Sequence, residues 1–590
     1  MRWISDHEYL HKSQGSVFLY DVLNNNQSEF LSKNTFDRVN AYDYQLSADR
    51  KYVAFMSNHS KLWRHSFTAS YSIYDMKENP KTPAERVTVS GEENLIFNGI
   101  PDWVYEEEMF SSAQGFWWSP GGKYVAFAHF NDSEVPNIEY TWFGHDQYPR
   151  TISIRYPKAG ANNPTVKLFV VDTDNVTDIT EVFVPASFSS SEHYLATVTW
   201  VTDDRLAVQW LKRVQTHLIL QIYDFTGSSW DPSEVKHGFS PMSGSFMQGK
   251  TTPITSGDWE VISILKVTED KMQIKDEEST CLTCAINRER CQYISAYFSH
   301  NASYYRMSCS GPGIPYHSLM DNKNGEVKVL EGNDEFSSLI SDIGMPTMRR
   351  GSIEIDGFDL WYQMFLPPGF QESKKYPLLI DVYAGPCSQK VDFAYRVGWS
   401  TYLASTEKVI VASFDGRGSG YQGDEIMHKI YKRLGTYEVE DQITAARNFI
   451  NMGFIDKDRV AIWGWSYGGY VTSMALGAGS GVFKCGMAVA PVSKWKYYGI
   501  ISIFKQHFYL QNHQMTERAK NFHSVQYLLV HGTADDNVHF QQAAEISEAL
   551  VNEQVDFEAM WYTDKDHGLG GSAYQHVYTH MSHFLQRCFA

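Results

Sequence analysis

From residue 1 to about residue 345 the chain is a succession of short alternating or apolar runs separated by polar turns, with almost no stretch of helical period. One unit recurs: Ser47-Ala-Asp-Arg-Lys-Tyr-Val-Ala-Phe55 matches Ser119-Pro-Gly-Gly-Lys-Tyr-Val-Ala-Phe127, and Ser299-His-Asn-Ala-Ser-Tyr-Tyr305 is a looser copy. A turn followed by a short strand, repeated among many short strands, predicts an all-β unit of sandwich or, more so, propeller type.

Past about Gly351 the texture changes. Tyr376–Tyr383 and Val409–Phe414 are continuous apolar runs, the mark of strands buried on both faces. Over Glu438–Met452 the residues Val439, Ile443, Ala446, Phe449 and Ile450 share one stripe behind an acidic first turn, which predicts a helix. Arg459–Trp463, Tyr527–His531 and Asp556–Tyr562 predict further strands, each followed by a Gly- or Asp-rich turn. Strands alternating with helices predict a doubly wound α/β domain over residues 346–590, behind a β domain over residues 1–345.

Composition narrows the reading. Aromatic residues at 15% favour sheet. The net charge of −18 would repel a phosphate backbone, and no basic patch offsets it, which excludes general nucleic-acid binding. No run approaches the ~18 apolar residues that span a bilayer, and the opening residues do not form a signal peptide. Five N-x-S/T sequons occur, at Asn26, Asn58, Asn131, Asn175 and Asn301. Cys281, Cys284, Cys291 and Cys309 cluster. A zinc site is the plain reading of such spacing, but no His lies near and Cys309 falls in a strand-like run. Cysteines and sequons together predict disulfides in an oxidising, glycosylated, extracellular setting. That setting implies a targeting segment that precedes, or was removed from, the chain as given. Seven cysteines leave one thiol free, expected at Cys387, which is remote from the others.

Gly464-Trp465-Ser466-Tyr467-Gly468 is the single G-x-S-x-G of the chain. A match arises by chance in roughly one chain in five of this length, but here it follows the apolar run Val460–Trp463 and precedes the helix-like run Gly469–Leu476. That is the strand–elbow–helix setting in which a serine Oγ is presented at the top of a sheet. A serine nucleophile needs a base, and the base an orienting carboxylate. In the order Ser, Asp, His, the ends of two later strands offer Asp535 and His567, with Asp536 and Asp566 as rival acids and His531 and His539 as rival bases.

The hexapeptide from Gly464, the segment His531-Gly-Thr-Ala-Asp-Asp-Asn-Val538 and the segment Asp102-Trp-Val-Tyr-Glu-Glu-Glu108 resemble the prolyl oligopeptidase family, along nearly the whole chain. Within it, Asp415-Gly-Arg-Gly-Ser-Gly-Tyr-Gln-Gly423 resembles the branch that releases dipeptides more than its sister branch. The resemblance implies an eight-bladed propeller over an α/β-hydrolase domain, a homodimer, no cofactor or metal, and removal of Xaa-Pro or Xaa-Ala from peptides with a free N-terminus. It implies Ser466 as nucleophile, Asp535 as acid, His567 as base, and an oxyanion hole from the Tyr383 hydroxyl and the Tyr467 N–H. Glu107 and Glu108 are then the acids for the substrate amine, a group of pKa ~8 that is cationic at neutral pH; on a strand they would point apart, so a helical turn or bend is expected. Arg64 and Asn537 would grip the substrate carbonyl, and Val492, Trp495, Tyr498 and Val538 would line a small apolar pocket for proline. The implied disulfides are Cys281–Cys284, Cys291–Cys309 and Cys485–Cys588.

Several departures from the family are legible. Stretches near Asn79–Pro83, Gly238–Pro253 and Met272–Ser279 look shortened, so one or two blades are expected to be missing, with open edges. A family arginine near the substrate has no counterpart in the second stretch. The segment Gly499–Leu510 differs, with Ser502 where a second pocket tyrosine belongs. A catalytically impaired cell-surface binding protein of the same fold is therefore the competing expectation, and an esterase or endopeptidase a third, disfavoured by Glu107 and Glu108.

Overall fold

The computed structural model describes residues 1–47, 50–76, 87–189, 192–238, 290–499 and 514–590. The shortened stretches lie in or run into the residues outside this set, as do Ser502, Cys281 and Cys284.

Up to Glu331 the strands build small antiparallel sheets, five of them blade-like among the described residues, in the order in which the chain meets them. The first has strands Arg2–Trp3, Glu8–Ser13, Ser16–Asp21 and Asn26–Leu31; the second is centred on Tyr52–Lys61 and the third on Tyr124–Asn131. A fourth spans His193–Gly238 and a fifth Ile294–Glu331. From the third sheet a two-stranded ribbon projects, Asn137–Trp142 against Arg150–Arg155.

The recurring sequence unit has a structural counterpart. In two copies the serine N–H donates to the tyrosine carbonyl five residues on, and the serine hydroxyl accepts that tyrosine's N–H: Ser119 with Tyr124 (2.9 and 3.1 Å) and Ser299 with Tyr304 (2.9 and 3.1 Å). A closed polar turn thus launches each strand, and the apolar face that follows packs on the next sheet. Leu10, Val17, Phe36, Val53 and Phe55 join the first two sheets; Ala126, Phe130, Leu168, Tyr194, Val208 and Trp210 join the third and fourth.

The first and fifth sheets also meet. Trp3, Tyr9, Tyr20 and Val22 pack on Leu319, Trp3 Nε1–H donates to Tyr297 O (3.1 Å), and Asp6 Oδ1 accepts from Ser299 Oγ (2.6 Å) and from the N–H groups of Asn301 (2.9 Å) and Ser303 (3.3 Å). The sheets at the two ends of the described propeller strands therefore cover one another; the missing blades and open edges expected at the shortened stretches lie outside the described residues.

From Thr347 one sheet of eight strands takes over: β1 (Thr347–Ile355), β2 (Phe358–Leu366), β3 (Tyr376–Val382), β4 (Ile410–Phe414), β5 (Ile455–Trp465), β6 (Cys485–Val489), β7 (Gln526–Gly532) and β8 (Glu558–Tyr562). Their order is β1-β2-β4-β3-β5-β6-β7-β8, antiparallel through β2 and parallel beyond it. Leu378 and Ile380 of β3, Val460 and Ile462 of β5 and Leu529 of β7 are fully buried, because helices cover both faces of the central strands. One is the predicted amphipathic helix, observed at Tyr437–Asn451, with Val439, Ile443, Ala446 and Phe449 buried. The fold is a β-propeller joined to an α/β-hydrolase domain.

Candidate active site

Strand β5 runs into Ser466, and the helix Tyr467–Gly477 starts at the next residue. Ser466 has φ 59° and ψ −118°, a conformation that an L-residue keeps only where its surroundings over-determine it. Here the surroundings do so. Its N–H donates to Val489 O at the end of β6 (2.8 Å), its carbonyl accepts from Tyr470 N–H (3.0 Å), and a Cβ on Gly468 would lie 2.1 Å from Val382 O. The hydroxyl is pushed above the sheet, where it lines a cavity of about 230 Å³ with Tyr383, at the end of β3, and Tyr467.

After β7, Asp535 is buried. Its Oδ1 accepts N–H from Asn537 (3.0 Å) and Val538 (2.8 Å), and its Oδ2 takes the Nδ1–H of His567 at 2.7 Å. His531 Nε2 also lies 3.2 Å from Oδ2 and donates to Val538 O (2.6 Å). The rivals are otherwise engaged: Asp536 accepts Trp103 Nε1–H (2.9 Å), Asp566 pairs with Lys61 Nζ (2.5 Å), and His539 Nε2 meets Asp536 O (3.2 Å). Trp465 Nε1–H donates to His567 O (3.0 Å), which ties the elbow to the His567 loop.

Burial alone would raise the Asp535 carboxyl, but the His567 and His531 imidazoles more than offset it and hold it far below the usual carboxylate range. Burial alone would lower His567; the adjoining Asp535 carboxylate outweighs it and raises the imidazole above its ordinary value. An ionised acid thus orients a base that is strengthened by it. Asp536, desolvated and granted only one strong donor, is pushed up to about 6.

Across the cleft, Tyr105–Phe110 forms a π-helical turn, and just ahead of it Asp102 Oδ2 accepts Val104 N–H (3.0 Å). The wide turn parts the first of three consecutive glutamates from the next. Glu106 turns inward and accepts the N–H groups of His65 and Ser66 (the latter at 2.9 Å), fixing the loop that carries Arg64. Glu107 takes Arg64 through Nε (2.8 Å) and a second guanidinium nitrogen (2.6 Å), and Asn537 Nδ2–H (2.5 Å). Asn537 Oδ1 accepts the Tyr498 hydroxyl (2.7 Å), and Tyr156 OH donates to Asn537 O (3.1 Å). Glu108 is near enough that, after burial, its charge is the largest influence raising the hydroxyls of Tyr498 and Tyr156, and it also raises that of Tyr383. A continuous polar chain, Arg64–Glu107–Asn537–Tyr498, spans the two domains.

Val492, Trp495 and Tyr498 line the cavity beside Ser466, with the Trp495 ring 5.3 Å from Tyr467 and edge-on to Tyr498 at 5.9 Å. Val538 is fully buried in the core and is not among the residues lining it. The facing wall comes from Met427, Ile430 and Leu434 with Pro386 and Cys387. That wall escaped the sequence reading, because nothing in a helix-turn segment forty residues before the elbow signals its approach to it. Glu106 escaped it too: in a run of three acids no local signal tells the inward one apart.

Cys291–Cys309 and Cys485–Cys588 are disulfides, and Cys387 is free and exposed. Asn26, Asn58, Asn175 and Asn301 are exposed; Asn131 is half-buried, its Oδ1 accepting from Ser133. No helix of the described residues is long and apolar enough to cross a membrane.

A propeller that holds an acidic turn over the elbow edge of an α/β-hydrolase sheet defines a class, the propeller-capped serine hydrolases. Residues 76–245 match the Dipeptidyl peptidase IV (DPP IV) N-terminal region and residues 395–590 the Prolyl oligopeptidase family. The chain is 46% identical to dipeptidyl peptidase 4 of Sus scrofa, covering 100% of this chain and 92% of that protein. It is 43% identical to prolyl endopeptidase FAP of Homo sapiens, with the same two coverages. The crystal structure of Porphyromonas gingivalis dipeptidyl peptidase 4 superposes with a TM-score of 0.86 at 25% identity, over 99% of this chain and 95% of that one. The chain belongs to the prolyl oligopeptidase family and resembles its dipeptidyl peptidase 4 members from end to end. The alignment with the pig protein runs over 707 positions against the 590 of this chain, so stretches of that relative have no counterpart here.

Proposed function

We propose that this protein is a serine exopeptidase that releases N-terminal Xaa-Pro or Xaa-Ala dipeptides, with residues 1–345 supplying amine recognition and residues 346–590 the chemistry. One observation carries the reading: Asn537, two residues past the triad acid Asp535, bonds Glu107 of the acidic turn at 2.5 Å, so the amine site and the hydrolytic site share one chamber. Two carboxylates suit a protonated N-terminus two residues from the scissile bond, which an exopeptidase substrate carries and an internal peptide segment does not.

The Ser466 hydroxyl attacks the carbonyl that follows the second residue, and His567 takes its proton while Asp535 stabilises the imidazolium. The oxyanion meets the Tyr383 hydroxyl and the Tyr467 N–H at the start of a helix, a donor pair of the kind worth ~3 kcal/mol per member. His567 returns the proton to the leaving amine, and water then releases the dipeptide from Ser466. Glu107 and Glu108 hold the amine, Arg64 and Asn537 the carbonyl before it. Val492, Trp495 and Tyr498 form a slot that fits Pro or Ala and rejects longer side chains.

The two disulfides and the exposed sequons support an extracellular glycoprotein; a third disulfide, Cys281–Cys284, and a homodimer are part of the same reading and rest on the family resemblance alone. The test is hydrolysis of a chromogenic Gly-Pro amide. Activity is expected from the parent, loss of at least about 10³-fold from Ser466→Ala, and none on the N-acetylated substrate. Equal rates for parent and Ser466→Ala, or for free and acetylated substrate, would refute the reading.

A further inference from the structure

The loop after β8 that carries His567 is gripped from the propeller side at two acids. At the ribbon tip, Phe143 N–H donates to Asp564 Oδ1 (2.8 Å) and Gly144 N–H to Asp564 Oδ2 (2.7 Å). Asp566 Oδ2 receives Lys61 Nζ (2.5 Å), at the end of the blade strand that leads to Arg64. His567 is the next residue. On the hydrolase side the same loop is stitched to the acid's loop, through Asp564 N–H to Thr533 Oγ1 (2.9 Å), Ala534 N–H to Lys565 O (3.1 Å), and His567 itself to Asp535.

The body of the ribbon stands away from the hydrolase across a cavity of about 520 Å³, lined by Ile138, Tyr140 and Phe143 on one side and Asp535, His539 and Phe540 on the other. Its hold is therefore concentrated at the tip and, at its root, where Lys158 Nζ meets Gln541 Oε1 (2.7 Å). Gly144 has φ 57°, and a Cβ there would touch the Trp142 indole at 3.4 Å; glycine lets two successive N–H groups face a single carboxylate. Two N–H bonds to an ionised group are the stronger kind, whereas the half-exposed Lys61–Asp566 pair adds little by itself.

We propose that the ribbon tip is a strap on the His567 loop, with Asp564 and Gly144 as positioning residues that hold the imidazole over Ser466. The proposal rests on the reading of His567 as the base. Among the described contacts the strap makes none to Arg64, Glu107 or Tyr498, so loosening it lowers kcat and leaves KM in place.

Steady-state kinetics on a Gly-Pro amide test this with Asp564→Ala, Asp564→Asn and Gly144→Val. Asp564→Ala and Gly144→Val are each expected to lower kcat about tenfold or more, since small misplacements of a catalytic group carry costs of that order, with KM within about twofold of the parent. Asp564→Asn, which keeps one acceptor, falls between. Gly144→Val changes no charge and lies outside the hydrolase sheet, so it decides the matter even if the Asp564 variants fail to fold. A folded Gly144→Val protein with kcat within about twofold of the parent, or with kcat lost only in step with a rise in KM, overturns the strap. A His567→Ala protein that keeps the parental rate overturns the base assignment beneath it, and that result is distinct from the other two.

Discussion

His567 and Asp535 touch at 2.7 Å although 32 positions separate them, and the pairing sets a pH window for activity. The base works only when neutral. Because its imidazole is raised above the ordinary value of about 6.5, activity is lost as pH falls through a point above that value. The substrate amine works only when charged, so activity also declines as pH rises past about 8. Asp535 stays ionised across the window. The kcat/KM profile should be a bell between these limits, and Asp535→Asn should cut kcat by about 10⁴-fold. A flat profile from pH 5 to 9 would contradict the arrangement. Ser466, Asp535 and His567 could be proposed from the sequence because each lies at or just past the end of an apolar run, and strand ends of one parallel sheet lie on one edge. Strand position alone left Asp536 as a rival to Asp535, since both follow the same strand, and the family resemblance favoured Asp535; in the structure the indole of Trp103, 433 positions away, occupies Asp536.

Strands and helices were legible where a run was long and of one period. The reading of Tyr376–Tyr383 ends one residue beyond the observed strand, and the helix over Glu438–Met452 is displaced by one. The hairpin β1–β2 and the strand β6 were missed. β6 is five residues long with a glycine in second place and a mixed flank, so it carries too little pattern to stand out. Its place in the sheet is secured covalently: Cys485 opens β6 and joins Cys588 near the end of the last helix, across a separation of 103 residues. A loop of that size makes the crosslink worth about 4.7 kcal/mol through the unfolded chain in the chain-entropy picture. The double variant Cys485→Ala/Cys588→Ala should unfold at markedly lower denaturant concentration with kcat/KM unchanged at 25 °C, because the bridge lies at the far end of β6 from the elbow. Unaltered stability would mean that the packing of the last helix already supplies that constraint.

For the whole molecule, what matters is that Arg64, the acidic turn and the ribbon tip all hang on the propeller while Ser466, Asp535 and His567 hang on the hydrolase sheet, so the blades must keep a fixed arrangement. The seam between the first and fifth sheets is where that arrangement closes, through contacts almost 300 positions apart that no local pattern foretells. Asp6 is its polar centre. Burial would raise this carboxyl, but Ser299, Ser303 and the N–H of Asn301 outweigh it and hold it at about 2. A folded-state value below the unfolded one of about 3.9 stabilises above pH 4, and the contribution is lost as pH falls toward 2. Asp6→Ala should therefore cost on the order of 1 kcal/mol near neutral pH, since hydrogen bonds to a charged group are weakened where solvent screens it, with the deficit shrinking in acid. A sprung seam also frees the blade that carries Arg64 from its partner Glu107, so KM for a free-amine substrate should rise more than kcat falls. Thermal melts at pH 7 and pH 3, set beside kinetics at pH 7, separate the two effects. A variant that melts lower yet binds substrate as the parent does would mean that the chamber is held by Asn537 and Glu107 alone, independently of how the ring is closed.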